Sequence, residues 1–314
     1  DRRVWAASIV MGAVAAYPAA VGSLGGYLVA SKTSAKLGVP VEVERTRAGW
    51  GGLRLHGVVV GRDKGPLLTI DRLDIPFSAM WGKGEVVAEA PAAQVERGGP
   101  QDNVSGILAR LRTGSGGAGA GKTSTGSQPT LVVRNGSLRL TDHIKGLSLA
   151  VGAANGMWQA GQQYQIEAHQ VSGRLGSVGS DKQPGFGAQS LTLQGKLAGM
   201  RPVDWPEASV REGFVRPLAT LPLTGISGAI RPVDAGKGPA GTFDLFFSGS
   251  YGGAKRALWT ATGQMRPARD SHDIEGSLAL RAERFSLDKI AEILPASVLE
   301  PESTEIDAAI EVKL

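Results

Sequence analysis

The segment 116–123 has the residue types and spacing of a phosphate-binding loop, G-x-x-x-x-G-K-[ST]. Such a loop binds phosphate because it joins a buried strand to a helix whose first amides point at the ligand. Here a predicted helix precedes the motif, and the run Ser-Thr-Gly-Ser-Gln-Pro follows it, so no helix can begin where the chemistry needs one. The sequence therefore predicts a flexible linker at this place and no nucleotide as a cofactor or partner.

Histidines and carboxylates are the other side chains that could do chemistry. The histidines are too far apart in the sequence to form a metal-ligand pattern: His56, His143, His169 and His272. Several carboxylates lie beside predicted turns or helix starts, where they commonly cap free backbone N–H groups: Asp142, Asp244 and Asp288. No G-x-S-x-G motif is present. We therefore expect no catalytic, cofactor-binding or metal-binding residue, and no enzyme activity in this segment.

The composition favours a thin sheet over a thick globular core. The chain has 314 residues, of which 45 are glycine, and only 5% are aromatic. It has no cysteine, which excludes a disulfide scaffold and a thiolate metal site. The net charge of +5 is modest, and Lys and Arg are scattered among Asp and Glu. A nucleic-acid partner is therefore not expected.

The region Val4–Ala30 contains no charged residue. As a helix it would be ~40 Å long, enough to cross a hydrocarbon core of ~30 Å with some tilt. A cleaved signal peptide and a buried core helix are the alternatives, but the apolar run is longer than the first needs and has no polar face for the second. Residues 1–36 are thus predicted to be a transmembrane anchor. Basic residues flank it on both sides, so its orientation is not fixed by charge.

Beyond the anchor, apolar and polar residues alternate in short runs separated by Gly and Pro turns, which is typical of antiparallel strands. An Asn-Gly pair at 135–136 predicts a hairpin turn. The predicted strands are Val39–Arg45, Leu53–Val60, Leu67–Ile75, Glu85–Val95, Thr130–Val133, Ser137–Thr141, Leu147–Val151, Tyr164–Val171, Ser190–Lys196, Gly241–Ser248, Trp259–Met265, Gly276–Ala282 and Ile306–Lys313.

Few helices are expected in this mostly β body. Asn103–Arg112 has a capping residue and an apolar stripe, and Leu287–Leu294 is a shorter amphipathic run that ends at a proline. Arg201–Pro222 is proline-rich and predicted to be irregular, with one short helical turn. The predicted domains are a first β unit at 37–112, a Gly/Ser/Thr linker at 113–128 and a continued β domain at 129–314. Because the last predicted strand runs to the end of the sequence, we expect that domain to be truncated.

The first half of the chain resembles the AsmA/TamB-like envelope proteins. The resemblance lies in an anchor followed by Leu37–Val43 (LGVPVEV) and Gly49–Val58 (GWGGLRLHGV), and continues in Pro66–Leu73 and Asn135–Leu140. It implies a membrane-anchored, elongated and curved antiparallel sheet, shaped like a taco, on the periplasmic side of a bacterial inner membrane. In long relatives the apolar groove of such a sheet is proposed to conduct lipids.

A narrower resemblance concerns the second half. Ser248–Gly253, Leu258–Gly263 and Phe285–Ile290 are similar to the non-catalytic, AsmA-like N-terminal region of some large bacterial peptidoglycan glycosyltransferases. This resemblance implies that the catalytic domain would follow Leu314. None of that enzyme's motifs can be placed within residues 1–314, so no catalytic residue is carried over.

One collective surface remains as a candidate site. The alternation predicts an apolar groove on the inner face of the sheet, lined by Val41, Val43, Leu53, Leu55, Leu68, Ile70, Leu138 and Leu140. The leading interpretation is a non-catalytic, membrane-anchored scaffold of an envelope-biogenesis protein, with inner-membrane lipids, envelope-assembly proteins or peptidoglycan precursors as partners. The alternative is a lipid-transfer groove between membranes. A tryptophan beside a glycine turn, such as Trp50, is expected to be a strand-end packing residue.

Overall fold

The computed structural model describes most of the body of the chain. The described residues are 30–31, 34, 39–61, 65–105, 129–159, 161–176, 185–198, 201–202, 206–218, 221–233, 241–251, 257–267, 274–287 and 305–313. The predicted anchor, the phosphate-loop match, Asp288 and His272 lie outside them. Among the described residues, no helix is long and apolar enough to cross a membrane.

The chain divides into two compact units. Unit 1 comprises Asp1–Ile144 and Ala153–Ala160, and unit 2 comprises Lys145–Gly152 and Gly161–Leu314. The boundaries between the units fall at 144/145, 152/153 and 160/161, not in the Gly/Ser/Thr segment at 113–128. The domain boundaries inferred from the sequence stay a prediction.

Unit 1 is an antiparallel meander that ends in a parallel pair. Its strands, in hydrogen-bonded order, are β1 (Val41–Gly49), β2 (Gly52–Val60), β3 (Leu68–Pro76), β4 (Glu85–Arg97) and β5 (Thr130–Asp142). A 3-10 helix at Phe77–Trp81 connects β3 to β4 and ends at Gly82, which adopts the left-handed conformation and donates its N–H to Ala79. The next strand, β6 (Leu147–Gln159), has residues in both units.

The pairing of β4 with β5 is parallel, with Glu85 opposite Thr130 and Arg97 opposite Asp142. An antiparallel hairpin cannot make this pairing, because a parallel partner needs a crossover between the two strands. The sheet is therefore mixed, and the expectation of antiparallel pairing holds for the other described pairs but not for this one.

Unit 2 is an antiparallel meander. Its strands are β7 (Gln163–Leu175), β8 (Gly185–Ala198), β9 (Arg201–Pro202), β10 (Glu207–Leu218), β11 (Leu221–Pro232), β12 (Phe243–Tyr251), β13 (Ala257–Pro267), β14 (Ile274–Ser286) and β15 (Glu305–Lys313). Each strand pairs with the next strand along the chain, with one exception. The short strand β9 pairs only with β8, and β10 also pairs with β8.

The mostly β class is confirmed, and two local predictions are wrong. The Asn-Gly pair at 135–136 makes no hairpin turn, because β5 runs through it as one strand with Asn135 at φ 53°. The region Arg201–Pro222 is not irregular, because β10 and the start of β11 occupy most of it. Of the two predicted helices, only residues 103–105 and 287 are described.

Candidate apolar faces of the two units

The predicted groove residues lie in cross-strand rows of unit 1. Residues directly opposite each other in paired strands point to the same side of a sheet, so the strand register assigns them to faces. One row joins all of β1 to β5: Val41, Val60, Leu68, Ala93 and Leu138. A second row lies beside it: Val43, Val58, Ile70 and Pro91. Leu140 continues the same face opposite Val95.

Leu53 and Leu55 lie in further rows beyond a break in the strand alternation. Leu55 pairs with Thr46 and Leu73, and Leu53 pairs with Ala48 and Ile75. Leu55 and Val58 are three positions apart, which in a regular strand would place them on opposite faces. Both are nevertheless buried, at 0% and 5% exposure. The face is therefore continuous across the break.

The break is a row of backbone kinks. Gly57 in β2, Ala90 in β4 and Asn135 in β5 have φ of 62°, 49° and 53°, in the left-handed region that L-residues rarely adopt. The β4–β5 register places Ala90 beside Asn135, since the neighbouring pairs are Glu89 with Arg134 and Ala92 with Ser137. At Gly57 an added Cβ would lie 2.6 Å from Glu44 Oε2 and 2.9 Å from Glu44 Cβ, so a side chain there would displace Glu44. Each kink shifts the alternation of side chains by one position. Apolar side chains therefore lie on the same face on both sides of the row.

The rows of unit 1 are aliphatic and partly accessible. Leu55, Val58, Val60 and Ala88 are buried, whereas the other residues in these rows keep intermediate exposure. At one end the face finishes in a charged pair, where Arg97 Nη1 lies 3.3 Å from Asp142 Oδ2. Asp142 Oδ1 also accepts the Ile144 N–H at 2.9 Å, which confirms its predicted role as a turn cap.

Unit 2 fills the corresponding positions differently, with aromatic rings over glycines. Five directly opposite pairs combine one glycine with one aromatic residue: Tyr164–Gly195, Phe186–Gly173, Phe214–Gly187, Phe247–Gly228 and Trp259–Gly249. In each pair a Cβ on the glycine would collide with the opposite ring, for example at 2.8 Å from Tyr164 Cε1 when built on Gly195. The ring thus occupies the volume that a glycine leaves empty, which offsets the weak strand propensity of glycine.

The opposite side of unit 1 carries a chain of ion pairs. Arg54 Nε lies 2.7 Å from Asp74 Oδ1, and Arg72 Nε lies 3.2 Å from Asp74 Oδ2. Arg72 Nη2 is also 3.7 Å from Glu89 Oε2. These groups are partly exposed, so solvent screening keeps each pair weak. These ion pairs form a polar face, and their arrangement is not that of a general acid–base pair.

Asp102 and Asn103 fasten the segment after β4. Asp102 accepts hydrogen bonds from the Ser105 hydroxyl at 2.6 Å, the Ser105 N–H at 2.8 Å and the Gly98 N–H at 2.8 Å. The Ser105 hydroxyl, and then these amides, hold the pKa of Asp102 well below its usual range. The Asn103 side-chain amide donates to the Gln94 carbonyl and accepts from the Glu96 N–H. It thus forms the hydrogen bonds that a neighbouring strand would form. Both side chains are structural.

The remaining candidate residues are dispersed. His143 Nε2 is 3.3 Å from Glu96, and His169 Nε2 is 3.4 Å from Glu167. Asp244 is not a cap, because it lies within β12 and accepts a hydrogen bond from Gln264 across the strand pair. Within the described ranges no cluster of three His, Cys, Asp or Glu side chains could hold a metal ion. The structure therefore brings together the predicted apolar residues, whereas the candidate histidines and carboxylates that it describes lie at separate places in the two units.

The tryptophans separate into two groups. Trp158 and Trp259 lie within strands and are partly buried. Trp50 and Trp81 are 73% and 71% exposed, so the expectation that Trp50 packs at a strand end is wrong. The sequence signal for this difference was the glycine on each side of Trp50, since neither of its chain neighbours has a side chain.

Comparison with protein-family models, with curated proteins and with solved structures gives no match to this chain.

Proposed function

We propose that this chain is a non-catalytic, membrane-anchored β scaffold of a bacterial cell-envelope biogenesis protein, with its body in the periplasm. The observation that carries the proposal is the set of glycine–aromatic pairs in unit 2. Each ring covers its opposite glycine with one of the protein's own side chains, as a structural element requires, and of the five rings Phe214 stays 41% exposed. The second-half resemblance supports a place N-terminal to a peptidoglycan glycosyltransferase domain.

The partners of such a scaffold are inner-membrane lipids at the anchor, and envelope-assembly proteins or peptidoglycan precursors at the body. The resemblance of the first half supports this location, as does the uncharged stretch Val4–Ala30. The described residues contribute a surface with half-exposed hydrophobic side chains, of which Phe246 and Leu258 in unit 2 are 53% and 51% exposed. Such side chains suit a protein partner.

A phospholipid with a photoreactive group at the end of its acyl chain tests the scaffold. The full chain in vesicles of this lipid is irradiated, digested and analysed by mass spectrometry. A scaffold confines the label to peptides from residues 4–30, where the predicted anchor lies. Label in the strands of unit 2 would contradict the proposal, because a structural sheet binds no acyl chain.

A second candidate function is a lipid-transfer groove, and the aliphatic rows of unit 1 favour it. They join five strands, consist of Val, Leu, Ile, Ala and Pro side chains apart from Thr46, and stay partly accessible. An acyl chain is bound by contiguous apolar surface without directional contacts, which such rows provide. Under this function the photoreactive lipid labels β2 and β3 as well.

Ile70→Asp distinguishes the two functions in unit 1. Ile70 is partly exposed within the apolar rows, so a carboxylate there would repel an acyl chain without being buried completely. The matched control is Thr69→Asp, one position away and on the opposite face. Loss of label in β2 and β3 with Ile70→Asp only supports the groove. Equal labelling of both variants, or no label in the original chain, excludes it. Leu55 is unsuitable because it is 0% exposed.

A further inference from the structure

Trp50 and Trp81 are the most exposed of the large hydrophobic residues in the described part of the chain, at 73% and 71%. Tryptophan is usually largely buried, since its ring has a large apolar area. Two such rings in water at one place therefore indicate a surface that is covered when the protein works.

The two rings are at the same end of unit 1. Trp50 is in the hairpin between β1 and β2, and Trp81 is the last residue of the 3-10 helix after β3. The Phe77 N–H donates to the Gly51 carbonyl at 3.0 Å, which ties the start of that helix to the hairpin. We call this end of unit 1, formed by residues 47–54 and 74–85, the tryptophan tip.

Basic side chains adjoin the tryptophan tip. Arg47 and Arg54 are directly opposite each other on the polar face, and Arg45 lies two positions before Arg47 on the same strand. Like charges in directly opposite positions destabilise a sheet. Asp74, on the neighbouring strand β3, forms an ion pair with Arg54. Lys83 is exposed in the turn after the helix, and the acidic groups of the tip are Asp74 and Glu85. Cations thus outnumber carboxylates there.

We propose that the tryptophan tip docks on a bilayer surface that carries anionic phosphate headgroups. Tryptophan prefers the headgroup level of a bilayer, where its ring is in an apolar layer and its N–H meets water. Arginine and lysine within a Debye length of an anionic leaflet add attraction that salt weakens. The core of a protein interface is depleted of charged residues, whereas charged side chains adjoin these two rings.

This contact is separate from the one that the predicted anchor would make. The chain enters β1 at Val41, where the Val41 N–H donates to the Ser34 hydroxyl at 2.8 Å, and the hairpin lies at the other end of that strand. Nine residues of strand span about 30 Å. The tip therefore meets lipid about 30 Å from the point where the chain enters β1, whether the body acts as a scaffold or as a groove.

The absence of cysteine allows a single reporter to be placed at will. The full chain in phosphatidylcholine nanodiscs carries an environment-sensitive fluorophore at Ser78→Cys, an exposed position in the 3-10 helix. It is titrated with vesicles of equal parts phosphatidylcholine and phosphatidylglycerol. The matched reporter is Ile144→Cys, which is 65% exposed at the opposite end of unit 1. A blue shift is expected at position 78 only, and only with anionic vesicles.

Two double variants identify the groups responsible. Arg47→Gln with Arg54→Gln should weaken vesicle binding about 30-fold at low salt, since each arginine near an anionic surface contributes about fivefold. Trp50→Ser with Trp81→Ser should weaken it about tenfold or more. Arg139→Gln and Ile144→Ser are exposed controls in the same unit and should leave the affinity unchanged. Circular dichroism confirms that each variant is folded.

The outcomes that overturn the proposal are distinct. One is an equal shift at both reporters, and another is vesicle binding that ignores both double variants. A third is tryptophan-dependent sedimentation with peptidoglycan sacculi in the absence of vesicle binding, which would assign the tip to a glycan. None of these outcomes depends on whether the acyl-labelling experiment supports the scaffold or the groove.

Discussion

The apolar face of unit 1 and the sheet of unit 2 are packed with different kinds of side chain. In unit 1 the rows contain Val, Leu and Ile side chains of similar size, interrupted by a row of kinks. In unit 2, five rings lie over directly opposite glycines. Each unit is built from strands whose sequences alternate between apolar and polar residues.

The difference shows that alternation fixes which residues share a face, but not how that face is filled. Similar aliphatic side chains leave a level surface that another molecule can contact. A large ring beside a glycine gives an uneven surface that is already filled, because the ring occupies the neighbour's volume. The residue opposite each glycine therefore distinguishes a groove from a structural sheet.

The largest expected effect is in unit 1. Leu55 is the largest fully buried side chain among the described residues, so Leu55→Ala should lower the free energy of unfolding by about 2–5 kcal/mol. The control is Leu53→Ala, two positions away and less buried. Hydrogen exchange by mass spectrometry should accelerate in β1 to β3 and stay unchanged in β12 to β14. Faster exchange in both sets of strands would show that the units do not behave separately.

A glycine substitution tests unit 2. Gly173→Ala should destabilise it by about 1–3 kcal/mol, because the new Cβ collides with the Phe186 ring. Combined with Phe186→Ala, the same change should be neutral or stabilising, since alanine restricts the unfolded chain more than glycine does. Gly185→Ala is the control, because its nearest neighbour is 3.8 Å away. Additive effects in the double variant would refute the ring-over-glycine explanation.

The Asp102 cap should matter to unit 1 alone. Asp102→Ala should cost about 1 kcal/mol at neutral pH, a typical value for the loss of a capping carboxylate. Hydrogen bonds lower the folded-state pKa below the unfolded value of ~3.9, so the stabilisation is present above that pH and is lost as pH falls below it. Thermal unfolding of both proteins from pH 7 to pH 3 should show their difference shrinking. A difference that grows on acidification would be the wrong sign.

The smallest effect is expected for an exposed ion pair of unit 2. Arg266 and Glu275 lie 3.0 Å apart with side chains 45% and 48% exposed. A double-mutant cycle with Arg266→Ala and Glu275→Ala should give a coupling energy below about 1 kcal/mol that declines with added salt. A larger, salt-independent value would mean that unit 2 depends on its charged surface as well as on its rings.

Most strands could be predicted from alternation, and the errors have identifiable physical causes. Asn135-Gly136 has the chemistry of a tight turn, but the same tolerance of positive φ lets Asn135 kink a continuous strand. In Arg201–Pro222, Pro217 and Pro222 lie near strand ends, where a missing N–H costs little, so the prolines did not exclude β10 and β11.

The candidate surfaces were predictable only in part. The eight groove residues follow from alternation because they belong to regular strand segments, and the register then aligns them. The glycine–aromatic pairs could not be derived, since pairing Gly173 with Phe186 requires the register between strands, which no single strand encodes. The exposure of Trp81 likewise depends on how the turn after β3 folds over the hairpin.

The parallel pairing of β4 with β5 has a consequence for the order of folding. Every β4 residue in this pair meets a partner 45 positions later in the chain, as Glu85 meets Thr130, whereas hairpin partners in unit 2 are closer in sequence. The chain must close this long loop before such contacts can stabilise it, and the entropy cost of closure slows folding. The cost of closure grows only slowly with loop length, by about 0.6 kcal/mol for each doubling. Unit 1 should therefore fold more slowly than unit 2, yet accept long insertions between β4 and β5 with little loss of stability.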